Sequence, residues 1–500
     1  MTTHLIGTWP TPQLQRIARA VLTIVLLAVS PIAIASPVIS PPAAHADEGQ
    51  YEEFYTPPDP LPDGAPGSLI RSEPSRLVLE PSGQLGAFVA TGTRIMYRST
   101  DAQGNPTAVT GTYFEPDNPW PGQGPRPLIA FATGPYGMGE QCAPSRMFNQ
   151  GIHFSQGFDL MFGYEEGFVA TMVARGFAVV VTDGEGLGIH RAALPQFLNR
   201  IAAGTTLLDA ARAAMQLPGT SLDPHGPVAL WGTSSGGQAS ASAAELAPTY
   251  APDLHLVGAW MGAPPADLSL LLPFFDGNAL AGGVGYVLLG LEAAYPQIHD
   301  ALMSVLTPRG QQMLDWSQYT CLVQAAADYA FRHVQFWFNT DPYELIGNQP
   351  LKGILDAQRV GTLKPQAPVF ISINRWDPLA PWDGAHQLAL DWCAKGADVE
   401  FWTNEEPRSS TNSTSTTSCP TSSTGSAPWD GSPTDSTTNQ QHPTANKSDG
   451  RRSDFSPWTM HKPHVAGALA EGLRSTLNPR GPMLERRTER ISLSSRRVCL

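Results

Sequence analysis

The stretch Pro227–Ser240, PVALWGTSSGGQAS, decides the fold of this chain. Its apolar first half predicts a buried strand, and the small residues that follow predict a helix. Between them, residues 232–236 read GTSSG, a GxSxG sequence in the strand–turn–helix setting of a nucleophile elbow. Its two glycines would let neighbouring backbones approach a serine held on a strained turn. An ordinary glycine-rich turn is the alternative, and the two matching flanks favour Ser234 as a nucleophile.

Outward from this stretch, the chain alternates apolar strands with helical segments. Gly204–Leu217 has a helical period, and Thr93–Pro116 has strand composition with a turn at 104–106. Strands are also predicted within Arg126–Gly134, Phe177–Gly188, Leu254–Gly262, Ala367–Asp377 and Ala397–Trp402. Apolar strands separated by helices predict an α/β protein with a mostly parallel sheet covered on both faces.

A carboxylate is expected after a later strand, at the edge of the sheet where the serine lies. Asp377 ends an apolar strand and enters a proline-containing loop, which favours it as the acid that orients a histidine. Asp383 is the alternative, but it precedes a segment predicted to be helical and is better suited to a helix N-cap. His386 lies within that helix and is expected to be a surface histidine.

Composition and charge restrict the class of protein. The chain has 500 residues, 42% of them hydrophobic, and a formal net charge of −13, which argues against a nucleic-acid partner. Residues 1–46 have two arginines, an apolar run and a small-residue site, which together predict a cleavable signal peptide and export. A membrane anchor is the alternative, but Pro31 interrupts a run already shorter than the ~20 residues needed to span.

Export makes disulfides possible, and the chain has five cysteines. Cys142 and Cys321 lie in well-patterned sequence and are the preferred pair. Cys393 has no obvious partner in the part of the chain expected to be ordered. An odd number leaves at least one cysteine without an internal partner.

Several of these segments together resemble the secretory lipase family, which includes yeast lipase A and exported actinobacterial members. The matching segments are GEQCAPS, VVTDGEGLG, LLDAARAA, GTSSGGQAS and the stretch from Arg375 to Phe401, and the resemblance covers about residues 50–407. It implies an α/β-hydrolase fold with an inserted helical cap, and ester hydrolysis through an acyl-enzyme. We expect neither a cofactor nor a metal.

The resemblance also implies an oxyanion hole and a histidine. One donor would be the N–H of Ser235, and the second would come from the loop after the strand at 126–134, where we choose Tyr136. The family's histidine follows the acid by some tens of residues, in a segment that should begin near Pro407.

The helical cap has support from the residues themselves. The segment 262–360 is helical and rich in apolar groups, more than a connection between two strands requires. Most of these groups would form the core of the cap, and a minority would line a pocket. The predicted parts are the signal peptide 1–46, the hydrolase core 47–261, the cap 262–360, the second part of the core 361–407 and a tail 408–500.

The tail has an abrupt change of composition. From Arg408 the chain is rich in Ser, Thr and Pro and has no apolar period, as in a secreted stalk or a disordered segment. The change of composition falls where the family's histidine is expected, so a shifted reading frame near codon 408 is the preferred interpretation. The lost histidine would have stood at the position of Thr417. The same event would have removed the partner of Cys393 and the last elements of the fold, which would leave one edge of the sheet uncovered. His464 is the alternative base.

The sequence thus predicts a secreted lipase of Ser-Asp-His type that is inactive because the segment carrying its histidine is lost. An active esterase that uses His464, an acyltransferase or peptidase with the same elbow, and a non-catalytic lipid-binding remnant remain as alternatives. The expected partner is a lipid ester substrate, with contact to a lipid surface left open and no protein partner inferred.

Overall fold

A computed structural model describes residues 53–77, 90–155, 159–190, 194–377 and 380–405, together with the backbone of 494–497. The chain divides into two compact units, Met1–Glu53 and Phe54–Leu500, and the elements below belong to the second. The predicted signal peptide, Thr417 and His464 lie outside the described residues.

The centre of the fold is a ten-stranded sheet in the order β1-β2-β3-β7-β4-β8-β9-β10-β11-β12. The six strands from β7 to β11 along this order are parallel, whereas β1–β3 and β12 pair antiparallel with their neighbours. The mostly parallel sheet is therefore confirmed. The strands, including β5 and β6 of a separate two-stranded sheet, are β1 Leu69–Ser75, β2 Ala90–Thr100, β3 Pro106–Pro116, β4 Leu128–Ala132, β5 Ile152–Phe154, β6 Leu160–Phe162, β7 Ala178–Thr182, β8 Pro227–Thr233, β9 His255–Gly262, β10 Val369–Asn374, β11 Val399–Asn404 and β12 Ser494–Arg497.

Helices cover this sheet because its central strands are apolar on both faces. Every residue of β4 and β7 is buried, and β8 is buried up to Gly232. Small side chains let the helices Arg200–Met215 and Ser235–Tyr250 pack closely together over the sheet. The Cβ of an alanine at Gly204 would lie 2.8 Å from the side chain of Leu246. The helices of the core are α1 Pro144–Gln150, α2 Glu166–Ala174, α3 Arg200–Met215, α4 Ser235–Tyr250 and α12 Trp382–Ala394.

The chain between β9 and β10 forms a helical insertion, as predicted for the cap. Its apolar residues pack into a core of their own, which also takes in Met138 and Leu198 from the hydrolase core. Tyr286, Trp337 and Met313 are among its fully buried members. The helices of the insertion are α5 Leu271–Phe275, α6 Gly283–Ala294, α7 His299–Val305, α8 Pro308–Ser317, α9 Leu322–Tyr329, α10 Pro342–Gly347 and α11 Leu351–Gln358.

At one side of the sheet the structure differs from expectation. The missing end of the family fold predicts an uncovered edge at β11, but β12 pairs with β11 antiparallel, with Thr403 opposite Ser494 and Glu400 opposite Arg497. A strand's unpaired N–H and C=O groups can pair with any extended segment of suitable length. Residues 494–497 therefore differ from the unstructured tail that the composition predicts.

The disulfide between Cys142 and Cys321 is confirmed, with a Cα–Cα distance of 5.5 Å and a sequence separation of 179 residues. Both cysteines are fully buried. Cys393 is also disulfide-bonded, whereas the shifted frame is expected to have removed its partner. Both remaining cysteines, 419 and 499, lie outside the described residues. Among the described helices, none is long and apolar enough to cross a membrane.

Replacing both Cys142 and Cys321 by alanine should lower the free energy of unfolding by about 2–5 kcal/mol, because this crosslink closes a long loop of the unfolded chain. Urea unfolding at one pH, compared between wild type and the double variant, measures the loss. The matched control is the wild-type protein in reductant, which should lose at least as much. An unchanged urea midpoint in the variant would contradict the prediction.

Candidate active site

Ser234 lies on a strained turn between β8 and α4. Its backbone has φ 53° and ψ −120°, a conformation that non-glycine residues rarely adopt. The N–H of Ser234 donates to the carbonyl oxygen of Gly262 at the end of β9, at 2.8 Å. The helix α4 begins at the next residue, Ser235. The N–H groups of its first turn, which have no partner within the helix, therefore lie close to Ser234.

The two glycines of the GTSSG segment are sterically required. A Cβ atom on Gly232 would lie 2.1 Å from the carbonyl oxygen of Gly236. One on Gly236 would lie 1.9 Å from the carbonyl oxygen of Ala132, at the end of β4. Both distances are far below any real contact, so the predicted collision is confirmed and the backbones meet only because side chains are absent here.

A cavity of about 100 Å³ lies beside the start of α4. Tyr136 and Ser235, the two predicted oxyanion donors, both line it, so the structure brings them together at one site. Gln238, one turn along α4, also lines the cavity, and its side-chain amide donates to the carbonyl oxygen of Leu198 at 2.9 Å. This bond holds the loop before α3 against the helix that follows Ser234.

The helical insertion does not line this cavity. Part of the apolar surface of the segment 262–360 is predicted to line a pocket, and no residue of that segment borders the cavity beside α4. Many of its apolar side chains form the core of the insertion and pack against the loop 194–198. A Cβ atom on Gly290 of α6 would lie 2.2 Å from the carbonyl oxygen of Phe197, so there is no free space between them.

Tyr136 is fixed by its neighbours on both sides. Its carbonyl oxygen accepts the N–H of Leu322 at 2.9 Å, next to the disulfide. Its buried ring stacks on the ring of Tyr164, with centroids 4.8 Å apart. The loop that follows β4 is therefore held between the helical insertion and the segment before α2.

Asp377 lies at the carboxyl edge of the sheet, on the loop after β10. Residues Thr233, Gly262 and Ser372 stand side by side across β8, β9 and β10, so the loops that carry Ser234 and Asp377 leave the same edge two strands apart. The carboxylate of Asp377 accepts the N–H of Ala380 at 2.9 Å, which fixes the turn.

The alternative acid and the nearby histidine have other positions. Asp383 lies in the first turn of α12, whose N-cap is Pro381. The prediction that Asp383 is the N-cap is wrong, because the helix begins at Trp382, one residue before it. The carboxylate of Asp383 still interacts favourably with the positive end of the helix dipole. His386 stacks on Trp382 at 4.5 Å and is partly buried, and this burial lowers its pKa.

Glu165 is a site residue that the sequence analysis did not find. One of its carboxylate oxygens accepts the N–H of Gly134 at 2.9 Å, and the other accepts the hydroxyl of Thr233. It therefore joins the loop after β4 to the residue before Ser234. The signal in the sequence is a pair of acids, Glu165 and Glu166, in an otherwise apolar segment without a basic residue.

Burial raises the pKa of Glu165 to about 7, against the effect of its two hydrogen bonds, which lower it. A second buried carboxyl, Asp183, lines the cavity after β7. It accepts the hydroxyl of Thr110 at 2.6 Å and the N–H of Ser145 at 2.7 Å, and burial raises its pKa as well. The candidate site thus contains buried carboxyl groups, and their ionised forms are unfavourable unless hydrogen-bond donors stabilise them.

The sequence model of the secretory lipase family matches residues 153–422, more than half of the chain. This chain belongs to the secretory lipase family. It is 30% identical over 352 residues to a protein of Mycobacterium tuberculosis named a probable inactive lipase, covering 70% of this chain and 76% of that one. It is also 26% identical over 365 residues to a secreted triacylglycerol lipase of Malassezia furfur, covering 71% and 70% of the two chains.

Solved structures agree with the family. The closed state of Candida antarctica lipase A superposes with a TM-score of 0.60 at 25% identity, covering 71% of this chain and 80% of that one. The rice cell wall degrading esterase LipA of Xanthomonas oryzae superposes with a TM-score of 0.56 at 18% identity, covering 70% and 94%. The second likeness shows the fold alone, and together they confirm the α/β-hydrolase architecture.

Gly236→Ala should destabilise the protein by about 2 kcal/mol or more, because the added methyl group meets the backbone of β4 and no flexible side chain can move away. Gly167→Ala, an exposed position in α2 with open space around its Cβ, is the matched control and should be neutral or stabilising. Urea unfolding of both variants tests this. Equal stability of the two variants would contradict the steric account.

Glu165→Gln should change how stability depends on pH. The pKa of Glu165 is raised, so the stability that it contributes is present below about pH 4.5 and is lost as pH rises through about 7. Between these values the wild type should therefore lose about 3 kcal/mol of unfolding free energy relative to the variant.

Urea unfolding at pH 4.5 and pH 8 measures this difference, and Glu344→Gln, at an exposed position of α10, is the control. If wild type and Glu165→Gln lose the same amount of stability between the two pH values, Glu165 does not titrate as a buried group.

Proposed function

We propose that this chain is a serine ester hydrolase of the secretory lipase family, built to act on lipid esters, with Ser234 as its nucleophile. The observation that carries the proposal is the positive φ of Ser234 between a buried strand and a helix, in a chain of this family. Such strain persists only where the surrounding structure enforces it, and it clusters at functional sites.

The proposed reaction begins when Oγ of Ser234 attacks the carbonyl carbon of an ester and its proton passes to a histidine. The oxyanion that forms would accept the N–H of Ser235, at the start of α4, and a second N–H from the loop after β4. Tyr136 is our choice for that second donor, and its place in the same cavity as Ser235 supports it. The alcohol then leaves, and water hydrolyses the acyl-enzyme.

Asp377 would orient the histidine, as the acid of a Ser-Asp-His triad. No histidine among the described residues hydrogen-bonds to the Ser234 hydroxyl. We propose that the family's histidine has been lost to a shifted reading frame near codon 408, so that this chain is inactive. A relative that is named a probable inactive lipase supports an inactive member, and His464 is the competing base.

The substrate class and the export of the chain follow from the family. Relatives from Malassezia furfur and Malassezia globosa are named secreted triacylglycerol lipases, so acylglycerols are the first substrates to test. The predicted signal peptide at 1–46 agrees with such names. Contact between the protein and a lipid surface would accompany this activity.

The test compares four proteins on short-chain chromogenic esters: the 500-residue chain, its His464→Ala variant, a form with the frame restored after codon 407, and that form with Ser234→Ala. We expect activity only in the frame-restored form, with a loss of about 10³-fold or more on Ser234→Ala, because one triad member is removed. Hydrolysis by the 500-residue chain that disappears with His464→Ala would contradict the frameshift.

A fluorophosphonate probe gives a second readout of the nucleophile. In the frame-restored protein it should label Ser234 alone, as found by mass mapping of the labelled peptide. Labelling that survives Ser234→Ala would overturn the assignment of the nucleophile.

A further inference from the structure

The two-stranded sheet of β5 and β6 has an unusual distribution of side chains. Ile152 lies opposite Phe162, and Phe154 lies opposite Leu160. Opposite residues of an antiparallel pair project to the same face, and residues two apart in one strand do so as well. These four apolar side chains therefore share one face of the hairpin, which we call the outer face.

The outer face is open to solvent. Phe154 is 69% exposed, Ile152 52% and Phe162 44%, while Leu160 is half-buried. Single exposed apolar residues are normal on soluble proteins, but adjacent ones that form a patch mark an interaction surface. Among the described residues of β5 and β6, no polar side chain lies on this face.

The opposite face of the hairpin explains why the outer face stays exposed. Met161 is buried against Tyr136 and the Cys142–Cys321 disulfide. His153 and Asp159 are 3.1 Å apart, and Asp159 also accepts the N–H of Cys321 at 2.8 Å. The hairpin is thus anchored through its inner face to a covalent crosslink, and it cannot turn over to bury its apolar residues.

The outer face continues toward the candidate active site. Tyr164, two residues after β6, is 39% exposed, and its ring lies 6.5 Å from that of Phe162. Its hydroxyl donates to the carbonyl oxygen of Pro135 at 3.1 Å, and its ring stacks on Tyr136. An apolar surface in contact with the hairpin would therefore reach the loop that carries the predicted oxyanion donor.

We propose that the outer face of the hairpin is a docking surface for an uncharged or zwitterionic lipid surface, an inference that rests on the proposed function. Residues 151–164 contain no lysine or arginine, and the chain has a net charge of −13, so nothing on this face would attract anionic lipid. A protein partner would be expected to meet hydrogen-bonding groups as well. Purely apolar side chains beside a tyrosine match the interface between water and acyl chains.

The experiment measures binding to phosphatidylcholine vesicles that contain triolein, by flotation, in a Ser234→Ala background so that no lipid is consumed. Ile152→Ser combined with Phe154→Ser should lower the partition coefficient by about tenfold or more, since two large apolar groups no longer enter the lipid. Leu363→Ser combined with Leu390→Ser, at two exposed leucines elsewhere, should bind as the parent does. Thermal unfolding should be the same for all three proteins, because the changed side chains are exposed.

Equal binding by the hairpin variant and the parent would overturn the proposal, as would binding that requires anionic lipid and disappears in high salt. If the parent protein is a dimer in the absence of lipid and the hairpin variant is a monomer, the outer face binds a second copy of the chain and the proposal is wrong. Because binding is measured without turnover, it can persist when the phosphonate probe fails to label Ser234, so failure of the docking surface and failure of the proposed function are distinguishable.

Discussion

The position of Ser234 depends on how closely three backbone segments meet at its flanking glycines. The end of β4, the end of β8 and the first turn of α4 approach one another at distances that no side chain would allow. This contact lets the first turn of α4 lie directly against the ends of β4 and β8. The strained φ of the serine follows from it, because the chain must reverse within one residue to enter the helix.

Around this contact the protein uses carboxyl groups in place of apolar packing. Glu165 connects the loop after β4 to β8, and Asp183 connects the loop after β7 to β3 and α1. Each is enclosed, so each needs donors that are fixed in advance by the strands. Such hydrogen bonds have a definite geometry, which apolar contacts lack, and they fix the neighbouring loops relative to the turn at Ser234.

The sequence predicts the sheet well because its central strands are continuous apolar runs that end in glycine or proline. The predicted strands at 126–134, 177–188 and 254–262 contain β4, β7 and β9. Side-chain partners that come from three distant segments are harder to predict. Glu165 acquires its role only when Gly134 and Thr233, 31 residues before it and 68 after, are brought to it by the assembled sheet.

The start of α12, the helix before β11, is a second place where the sequence does not predict local structure fully. Asp383 has the residue type of an N-cap, but α12 already begins at Trp382, with Pro381 as its N-cap. The positions of Ser234 and Asp377 at the carboxyl edge, our proposed site residues, could be predicted from strand order alone. The pairing of residues 494–497 with β11 has no signal in their composition.

The disulfide between Cys142 and Cys321 has a consequence for how a substrate could enter. Cys142 belongs to the hydrolase core, and Cys321 belongs to the helical insertion at the start of α9. The adjacent backbone bonds, from Leu322 to Tyr136 and from Met138 to Thr320, reinforce the link. The start of α9 is therefore fixed beside the candidate site, in addition to the packing of the insertion on the loop 194–198. Any movement of the insertion that admits a substrate must leave this corner in place.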